Sequence, residues 1–153
     1  MVRFSRIAPI ALGFSLLVSM IFSTDLWAFS VSEKENFNVS PYLFKMEVQV
    51  HGTGKLKKGA IILSSIKVKI KNETGKGGVL QVKAIRAYQE STVFKDIETK
   101  GFSVFPGQWV TKYYRLGKAR QALLNENGFV EVLFKDFAIQ FNPRQRKFQG
   151  PIR

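Results

Sequence analysis

Tyr42-Leu43-Phe44-Lys45-Met46-Glu47-Val48-Gln49-Val50-His51 decides the fold class, because its residues fall into two alternating sets. Successive side chains of a strand point to opposite faces, so Tyr42, Phe44, Met46, Val48 and Val50 share one face, and Leu43, Lys45, Glu47, Gln49 and His51 the other. The pattern predicts a half-buried β-strand that ends at Gly52-Thr53-Gly54. Ile62 to Lys71 repeats it, with Ile66, Val68 and Ile70 on one face and Lys67, Lys69 and Lys71 on the other. Asn72-Glu73-Thr74-Gly75-Lys76-Gly77-Gly78 then reads as a turn, its glycines supplying the positive φ that other residues resist.

Period two persists along the chain and period 3.6 hardly occurs. Val79 to Tyr88 predicts a strand with Leu80, Val82 and Ala84 inward and a change of phase near Ile85, as at a bulge. A short strand is expected near Val93 and Phe94, another over Phe102 to Phe105, and a third over Trp109 to Leu116 after the Pro106-Gly107 turn. Lys118 to Asn127 predicts a short helix, with Ala119, Ala122 and Leu123 at helical spacing and Gly128 placed to end it. Phe129 to Phe134 and Phe137 to Phe141 close the series. About seven strands separated by turn signals, with one short helix, predict an all-β, immunoglobulin-like β-sandwich.

Working back to the N-terminus, Met1 to Ser30 reads as a cleaved signal peptide. Arg3 and Arg6 form a basic head, Ile7 to Phe22 an apolar run, and Ala28-Phe29-Ser30 a small-x-small cleavage site, with cleavage after Ala28 the competing choice. An uncleaved anchor is the alternative, although the run is shorter than the roughly 20 residues of a spanning helix. The expected organisation is a leader over 1–30, a single sandwich domain over 31–142 and a basic C-terminal tail over 143–153. The chain has no cysteine, so a core of Phe, Val, Ile and Leu must hold it without disulfides, and a periplasmic or secreted bacterial location is expected. Asn38-Val39-Ser40 and Asn72-Glu73-Thr74 match the glycosylation sequon and are read as turn or strand-edge residues.

The formal net charge is +13. Cations recur in Lys55-Leu56-Lys57-Lys58, in the alternating lysines and in Arg144-Gln145-Arg146-Lys147, and such a surface attracts anions at long range. Lys67, Lys69 and Lys71 are preferentially read as the solvated face of a strand. Arg144, Arg146 and Lys147 are the anion-binding candidates, because residues 143–153 contain no acid.

The order of residues adds a resemblance. Asn38-Val39-Ser40-Pro41 opens a strand, Ile66 to Asn72 ends one on Asn, and Val79 to Gln89 closes on Arg86-Ala87-Tyr88-Gln89. Phe102-Ser103-Val104-Phe105-Pro106-Gly107-Gln108 then precedes a strand ending Tyr114-Arg115-Leu116. Over Asn38 to Phe134 this succession resembles the N-terminal domain of periplasmic pilus-assembly chaperones. The resemblance implies an exported assembly protein that lends a β-strand to an incomplete pilus or envelope subunit. Phe137, Ile139 and Phe141 have the spacing of such a donor stripe, and also that of the inward face of a last core strand. The family's carboxylate anchor is not carried over, since Lys45 is displaced from the first-strand Arg position and Lys135 or Arg144 matches the last-strand Lys only loosely.

Catalysis is not expected. His51 is the only histidine and thiol chemistry is absent, while Asp96, Glu98, Glu131 and Asp136 are scattered carboxylates. Gly75 to Gly78 lacks the spacing of a phosphate loop. No cofactor and no metal are expected. Trp109 and Tyr113 on one face, with Tyr114 on the other, could stack sugars or bases beside cations, but burial of the Trp in the sandwich core is preferred. The rival to strand donation is a basic module that holds an anionic envelope polymer or glycolipid; nucleic acid is disfavoured by the leader.

Overall fold

The computed structural model describes residues 28–54, 59–89, 92–117 and 122–153. In chain order the strands are β1 (Ala28–Val39), β2 (Tyr42–Thr53), β3 (Ile61–Asn72), β4 (Leu80–Gln89), β5 (Thr92–Glu98), β6 (Phe102–Val104), β7 (Trp109–Arg115), β8 (Ala122–Leu124), β9 (Phe129–Phe134), β10 (Ala138–Asn142) and β11 (Lys147–Ile152). They form two antiparallel sheets. One runs β1-β2-β3-β7, with β8 also pairing β3; the other runs β11-β10-β9-β4-β5, with β6 also pairing β4. The neighbours β2-β3-β7 and β10-β9-β4 match the A-B-E and G-F-C relations of an immunoglobulin sandwich, and β1 and β11 widen it beyond that core.

The alternation read from the sequence sets what the sheets bury. Phe44, Met46, Val48 and Val50 of β2 and Ile66, Val68 and Ile70 of β3 are all but inaccessible, as are Val130, Val132 and Phe134 of β9 and Ile139 and Phe141 of β10. Phenylalanines close one end of this core: Phe44 lies 5.2 Å from Phe37, 5.2 Å from Phe134 and 5.8 Å from Phe137. Phe148 of β11 meets Phe37 edge-on at 5.6 Å and Phe141 at 4.9 Å, so the edge strands β1 and β11 face each other across the sandwich. The phase change in β4 is a bulge. Pairing slips between Val82 and Ala84 against β9 and between Ile85 and Arg86 against β5, which lets Ala84 and Ile85 both be buried. Gly52 marks a second irregularity, where pairing with β3 slips after His51 and a Cβ would lie 2.2 Å from the Ile62 carbonyl oxygen.

Asn72 ties the layers together. Its Nδ2 donates to the carbonyls of Gly78 at 2.6 Å and Val104 at 2.8 Å, and its Oδ1 accepts the Thr74 N–H at 2.9 Å. The Gly107 N–H of the Pro106-Gly107 turn donates to the Asn72 carbonyl at 2.7 Å, with Gly107 at φ 79°. The sequon asparagine is therefore a buried strut between β3, the following turn and β6, whereas Asn38 is exposed on β1.

Three expectations are corrected. Among the described residues there are eleven strands rather than about seven. Of the helix expected over Lys118 to Asn127, residues 118–121 lie outside the described residues, and Ala122–Leu124 is a strand that pairs with Ile61–Leu63. Those first residues of β3 extend past the end of β7, and β8 satisfies backbone groups that would otherwise be unpaired. Residues 143–153 are not a free tail, because Lys147–Ile152 is the edge strand β11, held to β10 by backbone pairing and by Phe148. Met1 to residue 27 of the expected leader lie outside the described residues; Ala28–Ser30, its expected cleavage site, begin β1, with Phe29 opposite Gly52.

Candidate functional site

The outer face of the β1-β2-β3-β7 sheet gathers cations and exposed aromatic rings. Register puts Lys67 opposite Gln49 and Tyr113, Lys69 opposite Glu47 and Thr111, and Lys71 opposite Lys45 and Trp109. Lysines two apart on a strand stand about 6.7 Å apart, so β3 carries a regular row of charge. Trp109 is 41% exposed and Tyr113 55%. Burial of the Trp, preferred on sequence, is thus overturned: Val110, Lys112 and Tyr114 take the inward positions of β7 and leave Trp109 and Tyr113 outside.

The cations hold these rings in place. Lys69 Nζ lies 4.5 Å and Lys71 Nζ 5.6 Å from the Trp109 ring centre, and the Arg115 guanidinium lies 6.0 Å from that of Tyr113. Glu73 offsets part of the charge, at 3.7 Å from Lys45 and 3.9 Å from Lys71. Hydrogen bonds from Ser65, then Arg115, favour the ionised Tyr113 phenol and hold it below its ordinary value.

The inward side of β7 behaves oppositely. The Tyr114 hydroxyl donates to Glu98 Oε2 at 2.8 Å across the flank between β7 and β5, inside a cleft of about 450 Å3. Burial, then the Glu98 carboxylate, pushes the Tyr114 phenol far up. For Glu98, burial opposes ionisation, but the Tyr114 hydroxyl, the backbone N–H groups of Lys100 and Gly101 and the nearby Lys112 outweigh it, and the carboxyl is held down. Tyr114 binds its proton more tightly folded than unfolded, so its stabilising contribution is complete below the ordinary value of 10.0 and is lost as pH rises above it. Glu98 contributes above the ordinary value of 4.5 and loses that contribution as pH falls. Absorbance titration should show the Tyr113 phenol ionising early and Tyr114 only as the protein unfolds in alkali. In Tyr114→Phe, the late alkaline step should vanish and the early one remain.

The residues singled out on sequence do not assemble as one site. Phe137, Ile139 and Phe141 are buried, and β10 is paired on both sides, by β9 and β11. They are core residues and not a donor stripe, because a lent strand needs a free edge. Arg144 is also spoken for: its guanidinium donates to the Asn125 carbonyl at 3.4 Å and to the Gly59 carbonyl, so it braces loops rather than an anion. Arg146 lies 3.7 Å from Glu33 of β1, and Lys147 is exposed on β11.

Asp96 bonds Arg86 at 3.1 Å, and Glu131 accepts from Gln140 at 3.2 Å, so these carboxylates and Glu98 have separate partners. His51 lies on the lysine-bearing face, opposite Ser30 and Ser65. No group of three or more His, Cys, Asp or Glu that could hold a metal comes together among the described residues, and they contain no helix long and apolar enough to cross a membrane. Lys55 to Lys58 lie outside the described residues. The sequence signal for the aromatic site was present in Trp109 and Tyr113; what it lacked was the side of β7 that faces out. No protein-family model matches the chain, and no curated protein or solved structure matches it either.

Proposed function

We propose that the protein is a non-catalytic binding module that holds an anionic envelope polymer or glycolipid on the outer face of β2, β3 and β7. The observation that carries this reading is the exposure of Trp109 and Tyr113 beside Lys67, Lys69 and Lys71. Large rings left in water on the outer face of a sheet are stacking surfaces for sugar rings, and the lysine row answers a chain of phosphates or carboxylates. Export by the Met1–Ser30 leader would put the face where such polymers occur. Strand donation to a pilus subunit, as the chaperone resemblance implies, is less favoured because its donor stripe is part of the core.

The test is calorimetric titration with a soluble phosphate-bearing polysaccharide at low and high salt. Replacing Lys67, Lys69 and Lys71 with Gln should weaken low-salt binding on the order of 100-fold, at about 1 kcal/mol per cation near an anionic surface, and should flatten the salt dependence. Trp109→Ala should weaken binding roughly tenfold with the salt dependence kept. Binding that survives the triple change but fails in Arg144→Gln/Arg146→Gln/Lys147→Gln would move the site to the β10–β11 turn.

A further inference from the structure

The opposite face of the sandwich bears a different chemistry. At the end of the β10–β11 hairpin, a cleft of about 500 Å3 is lined by Phe129, Gln140, Asn142, Gln145, Lys147 and Gln149. That volume lies within the range of about 300–1,000 Å3 typical of small-molecule sites. Register brings the amides together: Gln140 pairs with Gln149, and Asn142 with Lys147. Beside them Phe129 stacks on Tyr88, ring centres 4.9 Å apart and planes at 11°. The cleft thus joins a side-chain amide cluster to an aromatic platform.

Two of the amides are already oriented. Asn142 Oδ1 accepts the backbone N–H groups of Arg144 at 2.9 Å and Gln145 at 3.1 Å, which leaves its Nδ2 as a donor. Gln140 Nε2 donates to Glu131 Oε2 at 3.2 Å, which leaves its Oε1 as an acceptor. A fixed donor and a fixed acceptor therefore stand two residues apart on one strand face, roughly 6.7 Å along it. Gln145 and Gln149 are exposed and supply further amide groups of both kinds.

We propose that this cleft is a second binding site, for a neutral sugar unit of a glycan. Sugar hydroxyls donate and accept at neighbouring atoms, which an array of amides matches and a row of ammonium groups does not. The apolar face of a sugar ring has Phe129 to lie against. A strongly anionic ligand is a poorer fit: Lys147 is the only cation among the lining residues, and the Arg144 guanidinium is directed to the Asn125 and Gly59 carbonyls. The site is independent of the lysine-bearing face, since the two lie on outer faces of different sheets.

The test is a nitrogen-15 NMR titration of the protein with maltotriose, cellotriose and triacetylchitotriose, following the side-chain amide signals. Saturable shifts of the Asn142, Gln140 and Gln149 amides with at least one of these trisaccharides are expected. Gln145→Ala combined with Gln149→Ala, both exposed positions, should weaken that binding about tenfold with the rest of the spectrum unchanged, from the loss of two ordinary hydrogen bonds. The Lys67→Gln/Lys69→Gln/Lys71→Gln variant should bind the trisaccharide as the parent does. Absence of saturable shifts with all of the probes overturns the proposal. Shifts confined to the lysine-bearing face, or an unaltered affinity in the double variant, overturn it too.

Discussion

Val68→Asp is expected to remove a large part of the protein's stability, whereas Lys69→Asp, one residue along the same strand, is expected to leave it folded. Val68 is 0% exposed, with Val48 beside it on β2 and Lys112 on β7. A carboxylate there gives up its hydration while the facing Lys112 ammonium is drawn over the Phe102 ring at 5.2 Å, which costs on the order of 4 kcal/mol, out of the roughly 5–15 kcal/mol that holds an ordinary domain together. Circular dichroism should show a Tm lowered by roughly 10–25 °C, or no cooperative transition. Lys69 points outward, where Asp forfeits a cation–π contact at 4.5 Å and meets Glu47, a loss within about 1 kcal/mol. Equal melting of the two variants would show the faces of β3 to be wrongly assigned.

The second large effect is expected at Asn72. Asn72→Ala strands the Gly78 and Val104 carbonyls and the Thr74 N–H, at about 1–3 kcal/mol for each polar group that stays dry. A total near 3 kcal/mol is expected, while Asn38→Ala on the exposed side of β1 should stay within about 0.5 kcal/mol. Asn72→Asp refines the test. It keeps the acceptor for Thr74 but points a carboxylate oxygen at two carbonyls, which disfavours the ionised form and raises the folded-state pKa of the new acid. Stability of that variant should therefore recover as pH falls through that raised value, because the protonated acid regains one donor. Urea unfolding of Asn72→Asp at neutral and acid pH would check the sign, and a variant as stable as the parent at neutral pH would remove Asn72 as a strut.

If the lysine-bearing face grips a polymer, its ligand meets a surface already firmly built. Lys67, Lys69 and Lys71 belong to β3, which is paired on both sides, and the rings come from β7 pinned to it. Binding of this kind needs no moving part. The Tyr114–Glu98 bond on the inner side of β7 also links that edge to β5 of the second sheet, so alkali should loosen the flank that carries Trp109 and Tyr113.

Much of the fold was legible because a strand with one dry face must alternate. The sequence alone determined β2, β3, β9 and β10, the bulge near Ile85 in β4 and the exclusion of a disulfide scaffold. It could not reveal β1, where Glu33 and Glu35 occupy positions that pair with Val48 and Met46; an edge strand tolerates charge there, because its flank stays wet. Nor could it reveal β11, whose Gly150 and Pro151 break the pattern and are tolerated at an edge. Ala122-Leu123-Leu124 reads as helix by propensity, but the side of the β3 start that β7 does not reach draws it into a ladder. The site divides in the same way. Lysines alternating with Ile66, Val68 and Ile70 declare their face at once, whereas Trp109-Val110-Thr111-Lys112-Tyr113-Tyr114-Arg115 has an aromatic ring on either face. Only docking of the two sheets chose between them: it turned Tyr114 inward to Glu98, left Trp109 and Tyr113 in water, and sealed Phe137, Ile139 and Phe141 inside, because a strand's side chains take their environment from whatever packs against each face.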